Sequence, residues 1–311
     1  MKVFSSSVST KTLDRAVIIT GILAVLVTVA FVGYYLFDRY YRPPAPTALD
    51  AARSRVEEMI NKDPNNASVR ITAGLIYREA KTYPQAIAQL EEALKLQENS
   101  EKAYVVLGMT YLDMGDKDRA TENFGKVVEI GKDSEFAGMD SNLESAHYFL
   151  GKIYLDNGDL DQAIENLNLA LSIDRTDSDA YYLVGVAHTK RGEYEDAVKA
   201  FNDALAFVPN YVEAYRGRAE AYDLQGQVVR AKTDKALAGL FANDYDRAVS
   251  EFKSIVAEAP EAADAFWGLG VAYQMRGKRD DAIDAYKKAV AADPKHRQAL
   301  GALSQLGVKP D

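Results

Sequence analysis

Residues able to do chemistry are few in this chain. It has no cysteine and three histidines, His147, His188 and His296. None forms an HxxxH pair, so a transition-metal site has no support in the spacing. Asp156, Asp159 and Asp161 flank Gly158 and resemble a calcium loop, but the ligand intervals are wrong and a turn followed by a helix cap explains them. No glycine loop follows a strand to cradle phosphate, because no convincing strand is present. Asn66-Ala67-Ser68 fits a glycosylation acceptor, a triplet that arises easily by chance. The expectation is therefore a chain without catalytic group, cofactor or metal, which is not an enzyme.

The elements that hold these residues recur. Phe266, Leu269, Gly270, Tyr273, Gly277, Ala282, Tyr286, Ala289 and Pro294 form one unit, and the same order returns at a step of 34. Upstream copies include Tyr104, Leu107, Gly108, Tyr111, Gly115, Ala120 and Phe124. His147, Leu150, Gly151, Tyr154 and Gly158 start another, and Tyr181, Val184, Gly185, His188 and Gly192 a third. At about 100° per residue, positions 4, 7, 8 and 11 share one stripe of a first helix. Glycine at position 15 ends that helix, and a small residue at 20 with a large one at 24 packs a second helix against it. His147 and His188 occupy stripe positions, where packing is the expected role.

This pattern resembles the tetratricopeptide repeat (TPR) family, over most of residues 49–296. The resemblance implies an all-α, right-handed solenoid of helix pairs used as a binding scaffold. Repeats are expected at 67–100, 101–134, 144–177, 178–211, 229–262 and 263–296. Half-repeats are expected at 49–66 and 212–228, and a capping helix at 297–306. The period breaks twice. Nine extra residues, Glu135–Leu143, make either a longer turn or an apolar lid through Phe136, Met139 and Leu143. A unit beginning at 212 is followed by one phased at 229, only 17 residues later, so Val228–Ala242 is expected to be a long shared helix.

In the family that this chain resembles, positions 2, 5, 9 and 12 of the first helix line a ligand groove. Positions 5 and 9 here are Ile71 and Leu75, Val105 and Met109, Tyr148 and Lys152, Tyr182 and Val186, then Trp267 and Val271. All but Lys152 are apolar or aromatic where a solvated face would be polar. They point either to a groove for an apolar or amphipathic segment of a partner protein or to a face that the superhelix covers itself. Family members that grip a C-terminal carboxylate use Lys at position 5 and Asn at 9, which this chain lacks. Glu213, Arg216, Glu220 and Asp223 form a net acidic interruption, opposite which a partner's basic residue would fit.

Residues 16–37, AVIITGILAVLVTVAFVGYYLF, contain no charge. At about 1.5 Å per residue they cover about 33 Å, enough for a single transmembrane helix. A cleaved signal peptide would have a shorter apolar core and a small-x-small site, whereas Asp-Arg-Tyr-Tyr-Arg follows here. The expected order is a head at 1–15, the span at 16–37 and a Pro-rich linker at 38–48 with Pro43, Pro44 and Pro46. Thr47 and Asp50 then open the first soluble helix as a capping box. Flanking positive charges nearly balance, but the short head and the one-sided belt of Tyr34, Tyr35, Phe37, Tyr40 and Tyr41 favour a bacterial cytoplasmic-membrane protein with its N-terminus inside and its repeats outside the cytoplasm. Ala16, Thr20, Ala24 and Thr28 form a small-residue ridge suited to weak pairing of anchors into a homodimer.

Residues 1–42 carry a net charge of +3 and the whole chain −9, leaving −12 on the remainder. Such a surface repels nucleic acid and anionic headgroups. The reading is a membrane-anchored scaffold or adaptor in envelope assembly. Its alternatives are a permanent structural subunit of one membrane complex and an accessory to an enzyme, as in cytochrome maturation or polymer synthesis.

Overall fold

The computed structural model describes residues 10–40 and 47–309, with side chains in the first helix from Ile19 onward. The first nine residues of the expected head, and Pro43, Pro44 and Pro46, lie outside the described residues. The described residues form sixteen α-helices and no strand. The chain divides into two units, residues 1–55 and 56–311.

In the first unit, α1 (Thr10–Tyr40) contains the one stretch among the described residues that is long and apolar enough to cross a membrane, Ile19–Tyr40, whose side chains are exposed throughout. Arg39 donates to the Tyr35 hydroxyl at 2.8 Å. Thr28 Oγ1 donates to the Ala24 carbonyl at 2.8 Å, so that hydroxyl is used within its own helix. α2 (Ala48–Lys62) opens as the spacing predicts: Thr47 N donates to Asp50 Oδ2 at 2.9 Å and Asp50 N to Thr47 Oγ1 at 3.1 Å.

The second unit is a TPR-type solenoid of antiparallel pairs. Its inner row begins with α3 (Ala67–Glu79), α5 (Glu101–Asp113), α7 (Ser141–Asn157), α9 (Ser178–Arg191) and α11 (Val212–Leu224). The helices paired with the first four are α4 (Tyr83–Leu96), α6 (Lys117–Gly131), α8 (Leu160–Ile173) and α10 (Tyr194–Phe207). Close pairing rests on glycine at position 8. A Cβ on Gly151 would meet Leu167 Cγ at 2.6 Å and the Ala163 carbonyl oxygen at 3.1 Å. At position 15 the backbone turns left-handed, with φ 87° at Gly158, a conformation that glycine adopts without strain. Lys81 and Asn243 hold the equivalent place at φ 56° and 69°. After that turn Asp116 caps α6 through Arg119 N, whereas Asp159, at the start of α8, makes no side-chain cap bond; in the loop between α8 and α9, Asp177 caps α9 through Asp179 N and Ala180 N.

The insert between α6 and α7 forms a short 3₁₀ turn, Ala137–Met139. Phe136 and Met139 are 67% and 79% exposed, so they cover nothing as a lid; Leu143 alone is buried, in the first turn of α7 against Gly131.

At the second break the expected long shared helix is an ordinary one. α12 (Val228–Phe241) has 14 residues, no more than α13 (Tyr245–Glu258) or α15 (Arg279–Ala292). It pairs with α11 on one side and α13 on the other, and it contacts α14 (Ala263–Met275) much as α9 contacts α11. The helix that would be outer in one phase is thus inner in the next, and one helix serves both without lengthening. α16 (Arg297–Gln305) closes the row through Leu303, which is fully buried.

Candidate binding face and the cavity at the phase break

The predicted groove residues fall into two groups. Ile71 and Val105 are only 5% and 8% exposed and share one apolar cluster with Val106 and Leu107. They are core residues, because neighbouring inner helices close over them, and the expectation that they line a groove is corrected. Leu75, Met109, Tyr148, Tyr182, Val186, Trp267 and Val271 are half-buried, with an edge left to solvent. Phe266, whose place on the repeat stripe predicts a core residue, is itself only half-buried.

The half-buried aromatics of this row are held by tilted and edge-on ring contacts. Tyr182 lies 5.9 Å from Phe201 and 5.4 Å from Tyr211 between ring centres. Tyr211 in turn donates its hydroxyl to Asp179 Oδ1 at 2.6 Å. Tyr148 meets Phe149 edge-on at 5.3 Å, and burial pushes its hydroxyl up to about 12.

Where α11, α12 and α14 meet, the phase change leaves a cavity of about 1130 Å³. Tyr215, Tyr222, Phe241, Trp267 and Val271 supply its apolar wall. Its charged floor is an ion pair: Arg218 donates from Nε and one Nη to the two oxygens of Asp234, each at 2.7 Å. Burial opposes the charge on Arg218, but the bidentate carboxylate outweighs it and holds the guanidinium protonated. Burial pushes Asp234 upward, with those same bonds opposing. Arg218 also lies 5.3 Å from the Tyr215 ring centre, and Arg230 lies 5.6 Å from that of Tyr222.

Asp264 opens toward this cavity from the first turn of α14. His296 Nε2 lies 3.0 Å from its Oδ1, while Ala299 N donates to His296 Nδ1 at 3.1 Å. A backbone amide donating to Nδ1 leaves the proton of the neutral ring on Nε2, aimed at the carboxylate. The hydrogen bond from His296 holds Asp264 below the usual carboxylate range against its desolvation. Arg218, Asp234 and the cavity itself escaped the sequence reading. The available signal was the 17-residue phase slip, which forces two packing phases to share one helix.

The histidines are otherwise packed. His147 is buried with Nδ1 3.0 Å from Asn166 Oδ1. His188, Glu193 and Asp196 bring one ligand atom each within 4.8 Å of one another. Glu193 is already engaged there, by His188 Nδ1 at 2.7 Å and by Arg191 at 3.0 Å. Asn66 is the N-cap of α3, its Oδ1 accepting from Val69 N at 3.2 Å.

Among solved structures, the chain is similar to the C-terminal part of a TPR repeat-containing protein from Cytophaga hutchinsonii. That pair is 19% identical, with 86% of this chain and 97% of that one covered and a TM-score of 0.49. MamA (AMB-1) is 21% identical over 57% of this chain and 92% of its own, with a TM-score of 0.47. The Cut9–Hcn1 hetero-tetramer of the APC/C is 15% identical over 83% of this chain and 46% of that one, at 0.48. No curated protein gives a significant match. The family profile of the tetratricopeptide repeat protein 21 C-terminal ARM domain matches residues 49–214, a little over half the chain, and a tetratricopeptide repeat profile matches 233–297. With its glycine-spaced helix pairs and these two matches, the chain belongs to the tetratricopeptide-repeat family.

Proposed function

We propose that this protein is a non-enzymatic scaffold, anchored in a bacterial cytoplasmic membrane by residues 16–37, that holds an apolar or amphipathic segment of a partner protein on its inner face outside the cytoplasm. TPR arrays serve protein–protein interaction, and the observation that carries the finer reading is the half-buried row Leu75, Met109, Tyr148, Tyr182, Val186, Trp267 and Val271. Large apolar side chains with one solvated edge, packed against the core clusters beneath them, suit capture of another chain at little ordering cost. Envelope assembly fits the anchor and the acidic array.

Crosslinked pull-down from intact membranes tests the groove. Trp267→Ala and Tyr182→Ala are each expected to weaken partner recovery, by about 1 kcal/mol or more for aromatic anchors. Unchanged recovery in both would remove the groove. A reporter active only outside the cytoplasm, fused after Asp311, is expected to be active. Activity of a cytoplasm-only reporter at the same place would reverse the orientation.

A further inference from the structure

From α7 to α14 the inner face repeats one arrangement, a carboxylate about one turn before an aromatic: Glu144 before Tyr148, Asp179 before Tyr182, Asp264 before Trp267. On α11, between the last two, stand Glu213 and Glu220, both exposed. Among the described residues no lysine or arginine forms an ion pair with Glu144, Asp179, Glu213 or Glu220, although Asp179 accepts from the Tyr211 hydroxyl and Asp264 from His296, whereas the nearby Asp223 is paired to Lys235. The cations of the phase-break cavity are engaged too, Arg218 on Asp234 and Arg230 over Tyr222. Lys152 and Arg216 are the exposed basic residues on these positions, too few to balance the carboxylates.

Resting on the groove reading above, we infer that the segment this face takes is cationic: an extended stretch of a partner protein whose lysines or arginines sit against the carboxylate–aromatic pairs from α7 to α14. An ammonium or guanidinium is the one side-chain chemistry that satisfies a carboxylate and the face of a tyrosine or tryptophan together. Adjacent inner helices pack at about 8–10 Å. In the polyproline-II form, with three residues per turn and a rise of about 3.1 Å, a basic residue at every third position stays on one side of the segment, about 9 Å apart, in register with successive helices. The free face also carries an electrostatic cost that a cation relieves. Burial and then the neighbouring charge of Asp177 push the Glu144 carboxyl up, and Asp177 is itself raised by burial. The acidic remainder of the chain, at −12, steers such a segment in.

The test uses the full chain in non-ionic detergent, with fluorescence of Trp267, the only tryptophan, as the readout. Three peptides of about twelve residues carry lysine, glutamine or glutamate at every third position, with leucine and alanine between. The lysine peptide is expected to bind about tenfold tighter than the glutamine peptide and to weaken with added salt, while the glutamate peptide binds least. Glu213→Gln together with Glu220→Gln should weaken the lysine peptide about fivefold and leave the glutamine peptide unchanged. Both residues are exposed and unpaired, so the fold does not depend on them. Equal binding of lysine and glutamine peptides would overturn the cationic assignment and leave the groove standing. Binding by none of the three would overturn both. A dimer of the chain that the lysine peptide dissociates would give this face to a second copy and overturn the partner assignment.

Discussion

At position 5 of the inner helices, α3 and α5 on the one hand and α9 and α14 on the other carry large apolar or aromatic residues that end in opposite states. In the first, Ile71 and Val105 are buried and Arg78 on α3 pairs with Asp113 on α5 at 2.7 Å, so that only Leu75 and Met109 of these groove positions keep a solvated edge. In the second, Tyr182 and Trp267 keep a solvated edge, and Glu213 and Glu220 have no basic partner. An apolar residue at a groove position does not by itself make a groove. What decides is whether the next inner helix lies close enough to cover it, and at the phase break that helix changes identity.

The ion pair beneath the break gives the sharpest test. Asp234 is 3% exposed, so Asp234→Ala leaves the Arg218 guanidinium buried without its carboxylate. A loss of about 3–5 kcal/mol is expected in urea unfolding. The double variant Arg218→Met with Asp234→Leu should recover most of it, since removing both charges also removes their desolvation cost. A single variant as stable as the parent would mean that the open state of the second region does not rest on this pair.

Next in size is the closed region. Ile71→Ala should cost about 2–5 kcal/mol of stability and leave partner capture by the folded protein unchanged. Trp267→Ala should do the reverse, with a small stability change and weaker capture. Equal effects of the two on stability and on capture would erase the distinction between the regions.

Much of this was legible in the spacing. Gly151 at position 8 and Gly158 at position 15 announce a close helix pair and its left-handed stop, and the Thr47–Asp50 box announces the start of α2. The burial of Ile71 was not legible, because positions 5 and 9 read alike in every repeat and their cover comes from a neighbouring unit. The Arg218–Asp234 pair was hidden for a related reason. Asp234 looks like a solvated residue of an outer helix, and only the shared role of α12 turns it inward. The exposure of Phe136 and Met139 was one of two open alternatives, since composition alone does not separate a turn from a lid.

A third prediction asks whether the regions are coupled. Gly151→Leu places a side chain where even a Cβ would meet Leu167 Cγ at 2.6 Å, forcing α7 from α8 at a cost of about 1–3 kcal/mol. Because stacked units support their neighbours, hydrogen exchange should accelerate in α5 and α9 as well as in α7. Unchanged melting would mean that this contact relaxes without strain, and faster exchange confined to α7 and α8 would mean that the two regions are energetically separate.

The smallest effect expected is on pH dependence, and it singles out the open region. The folded Asp264 carboxyl is held below its ordinary value of 3.8, chiefly by the hydrogen bond from His296. A depressed carboxyl contributes stability that is present above its unfolded value and lost as pH falls through the lower folded one. Thermal melting of the full chain should therefore show Asp264→Asn less stable than the parent near neutrality, with the gap closing in acid below about pH 3–4. The Asp264 side chain is 73% exposed, so the gap should be modest and should shrink with salt. Asp113→Asn, which removes the ion pair with Arg78 in the closed region, should leave Trp267 fluorescence unchanged. A gap at Asp264 that persists unchanged into acid would show that the carboxylate's charge contributes nothing and that His296 is held by its cap on Ala299 alone.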